Sequence, residues 1–342
     1  MIKQFVPILA NSPAFEKFLR VLEQSGDERA NLLRVLTYHR VDEPTAHPWL
    51  APGLISATPG AFEKQMKYLA ANYEPVSAAD VIKAFEDPNQ VVLPPRAVLV
   101  TFDDAYSDFK EHAWPILKQY QIPVILFVPT AFPDHPERLF WWDRLFHALH
   151  TTSAGQFTSP LGHLSLSTAA QRGQAYKSLK KYFKTVPHQR VIEDINRICN
   201  ELGVPAQTNI VLGWDSLRTL AGEGVTLGAH TKHHPILSCI TLDELQDEVM
   251  GSLQHLTRET GSVPLTFAYP SGIHNQAAVS VVERAGFKVA FITQRGINAI
   301  GRADRLRLQR INVSAGTTLP ILRAQLLSWF VPVYSLRNRF IG

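Results

Sequence analysis

Cysteine is scarce in this sequence. Cys199 and Cys239 are the only two cysteines among 342 residues, and they form no C-x-x-C pair. Small domains that depend on disulfides need far more cysteine, so a disulfide-stapled scaffold is excluded. We expect two buried free thiols, with a bond between the two sulfurs as the alternative.

Long apolar runs are also absent. No uninterrupted apolar segment reaches the length that a transmembrane helix needs. The apolar stretch at the start of the sequence is interrupted by Pro7 and is shorter than the core of a secretory signal. We therefore expect a cytoplasmic protein.

Neither sign of charge is in large excess. The formal net charge is +4, and the 34 Lys and Arg residues are scattered instead of forming a basic stripe. This pattern argues against a nucleic-acid partner. With 45% hydrophobic and 19% charged residues, the composition is that of an ordinary globular protein and not of a disordered chain.

Short apolar runs alternate with helical patterns over most of the chain. Such alternation predicts parallel βα units, so the expected fold class is α/β, with a (β/α) barrel as the architecture. The run at 124–128 is apolar at every position, which is typical of a parallel strand covered on both faces. We predict about seven parallel strands, at 32–39, 97–102, 124–128, 225–229, 265–270, 289–292 and 306–313.

The remaining segments divide the chain further. Residues 1–30 are predicted to form an N-terminal helical extension, residues 31–315 the barrel, and residues 316–342 a C-terminal amphipathic segment. Residues 140–207 carry mixed polar helices with no clear strand, which indicates an insertion. Thr58 is expected to cap a helix at 59–72, and Thr241, with Glu244 three residues on, a helix at 241–257.

The C-terminal segment places aromatic residues beside arginines. Residues 321–330 are mostly apolar and end in Trp329 and Phe330, and Tyr334, Arg337 and Arg339 follow. Two interpretations stay open. One is a terminal helix docked on the barrel, and the other is a peripheral anchor on the inner face of a membrane.

Two groups of metal-binding side chains follow predicted strands. Asp103 and Asp104 come directly after the strand at 97–102, and His230, His233 and His234 follow the strand at 225–229. The C-terminal ends of barrel strands form one face, where α/β barrels build their sites. A carboxylate with two imidazoles suits a divalent cation such as Zn²⁺. The sequence therefore predicts a metal site on this face.

These two motifs resemble the signatures of a known family. The segment 101–108, Thr-Phe-Asp-Asp-Ala-Tyr-Ser-Asp, and the pattern His230-Thr231-x-x-His234 are similar to the first and second signatures of polysaccharide deacetylases. This family is carbohydrate esterase family 4, with the NodB homology domain. The resemblance extends over most of residues 31–313. It implies a deformed (β/α) barrel and metal-dependent removal of an acyl group from an N-acylated sugar.

The resemblance also implies roles for the motif residues. Asp104, His230 and His234 would hold the cation, with Zn²⁺ as the first choice and Co²⁺, Ni²⁺ or Mn²⁺ as alternatives. Asp103 would be the general base that takes a proton from the attacking water. His233 lies between the two histidines in sequence and is a competing ligand.

The third signature departs from the family pattern. The segment 267–272 resembles it, but Ala268 stands where most members carry the arginine that orients the base. We expect Arg310, near the end of the last predicted strand, to supply that charge, with a surface arginine as the alternative. The predicted substrate and oxyanion residues of this segment are Tyr269, Pro270, Ser271 and Gly272, the last two through backbone N–H groups.

A leaving-group acid is also missing from its usual place. The family carries a C-terminal histidine for this task, and no histidine follows His274 here. His39, at the end of the first predicted strand, is the candidate acid, with a structural histidine as the alternative. Trp142 is predicted to stack on a sugar ring and Asp143 to orient Arg310 or His39, with a loop-packing aromatic cluster as the other interpretation.

The leading hypothesis is hydrolytic N-deacetylation of an N-acetylated sugar in a polysaccharide or glycan precursor. Three alternatives remain open. The chain could remove a formyl or acetyl group from a lipid-linked aminosugar, or hydrolyse an amide in a small non-sugar substrate. It could also be a sugar-binding barrel that has lost its activity.

Overall fold

The computed structural model describes residues 13–24, 30–205, 207–208 and 210–327. These residues contain thirteen strands. In chain order they are β1 Leu32–Tyr38, β2 Arg40–Val41, β3 Ile55–Ala57, β4 Glu74–Pro75, β5 Ala97–Phe102, β6 Val124–Val128, β7 Gln156–Ser159, β8 Gly162–Ser165, β9 Thr226–Ala229, β10 Thr266–Ala268, β11 Val289–Phe291, β12 Asn298–Ala299 and β13 Ile311–Asn312.

The described residues also contain eleven α-helices. They are α1 Pro13–Gln24, α2 Pro59–Asn72, α3 Ala78–Glu86, α4 Trp114–Gln119, α5 Trp141–Thr151, α6 Ala169–Phe183, α7 His188–Glu201, α8 Trp214–Gly222, α9 Leu242–Thr260, α10 Gln276–Arg284 and α11 Leu319–Leu326. Short 3₁₀ turns lie at Pro52–Leu54, Leu237–Cys239 and Pro270–Gly272, and a π-helical turn at Phe109–Ala113 precedes α4.

One parallel sheet forms the centre of the molecule. Its strand order is β11-β10-β9-β6-β5-β1, with β13 also parallel to β1 and only β12 antiparallel. β5 and β6 are buried at every position, because side chains cover both faces of the sheet. The fold is therefore the expected deformed (β/α) barrel with seven principal parallel strands.

The segment after β11 closes the sheet. Leu308 forms a parallel bridge with Phe291, and Ile311–Asn312 pairs with Leu36–Thr37 of β1. The predicted strand at 306–313 is therefore wrong in extent. The chain leaves its partner β11 after Leu308 and pairs with β1 from Ile311, and this change of partner leaves only two residues in regular strand.

The predicted helices at 59–72 and 241–257 are present as α2 and α9. The Thr58 hydroxyl accepts the Ala61 N–H, and Thr241 forms a capping box with Glu244. The helical segment after β5 begins with a π-helical turn, and α4 starts only at Trp114. Pro115 has no N–H to donate to the preceding turn, so the regular α-helical ladder is interrupted there.

Residues 141–201 form a layer of their own on the barrel. α5, α6 and α7 pack around a separate apolar cluster that includes Leu145, Leu179 and Ile195. The expectation of no strand in this insertion is wrong, because β7 and β8 pair as an antiparallel hairpin. Only alternate residues of β7 are buried, so no continuous apolar run marks this strand in the sequence.

The two ends of the described chain lie against each other. Leu19 of α1 packs on Ala324 of α11 and on Leu327, and Arg323 forms an ion pair with Glu23. This agrees with a docked helix for residues 319–326, whereas the predicted aromatic and arginine-rich part beyond residue 327 lies outside the described residues. None of the described helices combines the length and apolar character that a membrane crossing requires.

The two cysteines are not bonded to each other. Cys199 and Cys239 are free thiols, as expected, but each is partly exposed and not buried.

The capping box of α9 gives a direct test of helix stabilisation. Replacing Thr241 by alanine removes the acceptor for the Glu244 N–H, so Thr241→Ala is expected to lower the free energy of unfolding by about 1 kcal/mol. Thr241→Ser keeps a hydroxyl and should stay within a few tenths of a kcal/mol of the parent. Urea unfolding measures both, and equal midpoints for the two variants would show that the cap contributes nothing.

Candidate active site

A cavity of about 330 Å³ opens at the C-terminal ends of the barrel strands. This is the face where barrels of this class carry their functional groups. The cavity is lined by His39, Gly53, Leu54, Ser56, Asp103, Asp104, Trp142, Lys180, Lys184, His230, His234, Ser271, Thr293, Asn312, Val313 and Ser314. The aspartate pair and the histidine pair that the sequence predicted therefore line one cavity. Other residues that the sequence did not single out line it as well.

The two aspartates follow β5 directly, and both are buried. The Asp103 N–H donates to the Tyr38 carbonyl at 3.0 Å, which continues the pairing of β5 with β1 by one residue. Asp104 and Ala105 then adopt positive φ angles of 74° and 53°. Non-glycine residues are strained there, and such strain persists where the surroundings fix a functional geometry.

Asp104 lies between two imidazoles. The Nε2 atoms of His230 and His234 are 3.5 Å and 3.4 Å from Oδ1 of Asp104, and among the described residues these three form the single cluster suited to a metal ion. His230 Nδ1 is 2.7 Å from the Ala268 carbonyl. Because a carbonyl can only accept, Nδ1 carries the hydrogen, and Nε2 is the nitrogen that would bind a cation.

The donor set fits a tetrahedral divalent cation. Oδ1 of Asp104 is buried and has no hydrogen-bond donor within the described structure, which is costly for a carboxylate oxygen unless a cation binds it. Tetrahedral ligands at about 2.0–2.1 Å from zinc lie about 3.3 Å from one another, close to the observed separations. Burial lowers the pKa of His234 to about 3, so this ring is neutral, as a metal ligand must be.

The histidine loop is held by a residue that the sequence did not reveal. Glu248, on α9, accepts the N–H groups of Lys232 and His233 through Oε2 and contacts the His233 ring through Oε1 at 2.7 Å. His233 therefore faces Glu248 and is not part of the metal cluster. Its competing assignment as a ligand is wrong.

Asp103 is paired with Arg310 through two hydrogen bonds. Nη1 and Nη2 of Arg310 donate to Oδ1 and Oδ2, both at 2.8 Å. Arg310 is fully buried, and its Nε donates to the Ile292 carbonyl. Burial alone would raise the pKa of Asp103, but the guanidinium outweighs it and holds this pKa well below its ordinary value. This is the pairing that we expected, because Ala268 stands where an arginine usually orients the base.

His39 lies on the other side of Asp103. Its Nε2 is 3.9 Å from Oδ2, and 27% of its side chain is exposed, toward the cavity. Burial lowers the pKa of His39, while the charges of Asp103 and Asp104 act in the opposite direction. Among the cavity-lining residues it is the one histidine outside the metal cluster.

The segment 269–272 differs from expectation. Tyr269 and Pro270 are buried and do not line the cavity, whereas Ser271 does. The Gly272 N–H donates to the Tyr269 carbonyl at 2.7 Å, so its predicted role as an oxyanion donor is wrong. Glycine is required for another reason: at φ 69° a side chain would meet the backbone of Thr293.

The prediction for Asp143 is wrong, and that for Trp142 stays a prediction. Trp142 lines the cavity but is only 5% exposed, with its ring stacked on Phe140 and in an edge-to-face contact with His234. The Asp143 carboxylate accepts from the Tyr106 hydroxyl and the Ala51 N–H instead of contacting Arg310 or His39. The aromatic cluster packs the insertion onto the site, and burial raises the pKa of Asp143 to about 6.

Residues 90–159 and 198–290 match the polysaccharide deacetylase family. Over 102 residues, 30% of this chain and 14% of the relative, the sequence is 30% identical to poly-beta-1,6-N-acetyl-D-glucosamine N-deacetylase of Escherichia coli (strain K12). YxkH of Bacillus subtilis (strain 168) is 27% identical over 169 residues, which cover 48% of this chain and 55% of YxkH. The chain thus spans less than two thirds of either curated relative.

A solved structure supports the fold assignment. The Streptococcus pyogenes deacetylase PplD in complex with acetate matches with a TM-score of 0.59 at 19% identity, covering 87% of this chain and 99% of that chain. At this identity the likeness shows the fold alone. The segments that match the family carry Asp104, His230 and His234 on that fold, and they identify a polysaccharide deacetylase domain in this chain.

Proposed function

We propose that this protein is a metal-dependent hydrolase that removes the acetyl group from an N-acetylated sugar of a glycan. One observation carries the proposal. A three-residue metal cluster and a second carboxylate, paired with a buried arginine, line the same cavity. The family assignment and the name of the Escherichia coli relative support the same reaction class.

Asp104, His230 and His234 would hold the cation. A divalent cation at this place polarises the amide carbonyl and makes a water molecule more acidic. Zn²⁺ suits two imidazoles and one carboxylate and leaves coordination positions for water and substrate. The hydrogen bond from His230 to the Ala268 carbonyl fixes the ring that carries the ligand atom.

Asp103 is the proposed general base. Its pairing with Arg310 keeps the carboxylate ionised and fixes its plane, so it can accept the proton of the attacking water without first losing one of its own. The water oxygen then bonds to the acetyl carbon, and the carbon–nitrogen bond breaks. The products are acetate and the free amine of the sugar.

His39 is the proposed general acid. The leaving nitrogen must gain a proton as the carbon–nitrogen bond breaks, and the His39 ring lines the cavity beside Asp103. Asp103 and Asp104 favour its charged form, which opposes the effect of burial. A proton taken up at Asp103 can therefore be balanced by one delivered from His39.

The base assignment is tested with Asp103→Asn. Metal-free protein is reloaded with Zn²⁺, and acetate release from N-acetylglucosamine oligosaccharides is measured beside the metal content. Asp103→Asn is expected to lower kcat by about 10²–10⁴-fold with one Zn²⁺ still bound, because Asp103 is not a ligand. His230→Ala is the matched control and should lose both the metal and the activity. Failure of the parent to bind any divalent cation would sink the proposal.

The acid assignment is tested with His39→Gln on two substrates. Turnover of the amide should fall by about 10²-fold, because its amine must be protonated. Hydrolysis of p-nitrophenyl acetate should change far less, because nitrophenolate leaves without a proton. His135→Gln, at an exposed position, is the control. Equal losses on the amide and the ester would assign His39 a structural role.

Arg310 is tested through its pairing with Asp103. Arg310→Lys keeps the charge but loses the two-pronged geometry, so kcat should fall about tenfold or more. Arg310→Ala leaves a buried carboxylate unpaired and should lower the free energy of unfolding by about 3–5 kcal/mol. Arg307→Lys, at a partly exposed ion pair, should change neither quantity. In an Asp103→Asn background, Arg310→Lys should cause no further loss of activity, and an additive loss would contradict the assignment.

A further inference from the structure

Two lysines from the insertion line the same cavity as the catalytic aspartates. Lys180 lies in the last turn of α6 and Lys184 follows directly after the helix, four residues on. Residues four apart lie on one face of a helix. The same stretch also carries Lys177 and Lys181, which are exposed and do not line the cavity. The cavity therefore receives two of four neighbouring lysines.

Neither of these two lysines has an ion-pair partner within the described residues. Within the described residues, Lys180 and Lys184 form no ion pair and donate no side-chain hydrogen bond, and Lys180 has only the ring of Tyr176 at 5.6 Å from its Nζ. Both side chains are partly buried. Burial lowers the pKa of both amines, and the charge of Lys180 lowers that of Lys184 further. The charge of Asp104 acts on both in the opposite direction, as does that of Asp143 on Lys180.

The carboxylates of the site have other partners. Asp103 is occupied by Arg310, and Asp104 belongs to the metal cluster. Asp143, the other acid near this wall, is bonded to Tyr106 and Ala51. The two amines therefore add positive charge that no carboxylate of the site pairs with.

The C-terminal end of a helix favours cations, which accounts for lysines in the last turn of α6. This effect acts equally on Lys181 and gives no reason to direct two ammonium groups into a partly buried cavity. Desolvation and mutual repulsion both oppose that arrangement. A negatively charged ligand group between the two amines would reverse both costs.

We propose that Lys180 and Lys184 form a subsite for an anionic group of the substrate, so that the substrate is an acidic glycan with a phosphate or carboxylate near the N-acetylated sugar. This inference rests on the proposed deacetylase function. It also distinguishes substrates, because deacetylation creates an ammonium group. A polymer with several such groups would be repelled by the two lysines, whereas an acidic glycan keeps a compensating charge after the reaction.

The test compares three substrates on the Zn²⁺-loaded full chain: N-acetylchitotriose, its reducing-end 1-phosphate, and a trisaccharide with glucuronate as the reducing sugar. We expect kcat/KM to be about tenfold to a hundredfold higher for the phosphorylated trisaccharide than for the neutral one, as charge-assisted hydrogen bonds provide. An equal gain with glucuronate identifies a carboxylate as sufficient. No gain with either anion overturns the proposal.

Matched variants separate this subsite from general charge effects. The pair Lys180→Gln and Lys184→Gln should remove the gain, so that the phosphorylated and neutral trisaccharides have about the same kcat/KM. The pair Lys177→Gln and Lys181→Gln removes the same charge from the same stretch of chain and should leave the gain intact. Equal losses in the two double variants would also overturn the subsite.

Binding separates failure of the subsite from failure of the proposed function. Calorimetry on the Zn²⁺-loaded Asp103→Asn variant measures the dissociation constants of the phosphorylated and neutral trisaccharides without turnover. If the parent chain releases no acetate, tighter binding of the phosphorylated ligand that depends on Lys180 and Lys184 would keep the anion subsite and reject the deacetylase. Equal binding of both ligands would reject the subsite, whatever the activity.

Discussion

The burial of two adjacent carboxylates at one strand end is the constraint on which this structure depends. Asp103 and Asp104 are both removed from water, and neither can remain ionised in that place without a positive partner. The protein solves the two cases differently. Arg310 takes both oxygens of Asp103, while Oδ1 of Asp104 faces two imidazole nitrogens and no donor. In the proposed mechanism, the first carboxylate is therefore the fixed base and its neighbour binds the cation.

This arrangement requires the barrel to close in an irregular way. The segment that carries Arg310 leaves β11 after Leu308 and reaches β1 at Ile311, so Arg310 lies at the changeover between two strands. Its backbone N–H donates to the Gln294 carbonyl, and its side chain forms an ion pair with Asp103. A regular strand would pair evenly with both neighbours. The break in regular pairing thus coincides with the residue that neutralises the base.

The sequence predicts the parts of the site that follow from strand position. Asp103, Asp104, His230 and His234 follow apolar runs, and runs of that kind form parallel strands whose ends meet on one face. The pairing of Asp103 with Arg310 was reached through the missing arginine at Ala268. Glu248 was missed because its contacts join α9 to the histidine loop, 15 residues away in sequence. The hairpin β7–β8 was missed because only alternate residues of β7 are buried. Gly272 was misassigned because its N–H bonds locally, which a residue type alone does not reveal.

The insertion has a core separate from that of the barrel, and this separation has a functional consequence. Its helices pack on one another through their own apolar cluster, and Trp142 joins them to the site through His234 and Tyr106. Changes on the cavity side of α6 therefore need not disturb the strands that hold Asp103 and Asp104. In our proposal, the barrel carries the catalytic groups and the insertion carries the two lysines that would bind an anionic group of the substrate. In sequence, Lys180 and Lys184 resemble ordinary solvated lysines. Their difference from Lys177 and Lys181 becomes visible only when the cavity is formed.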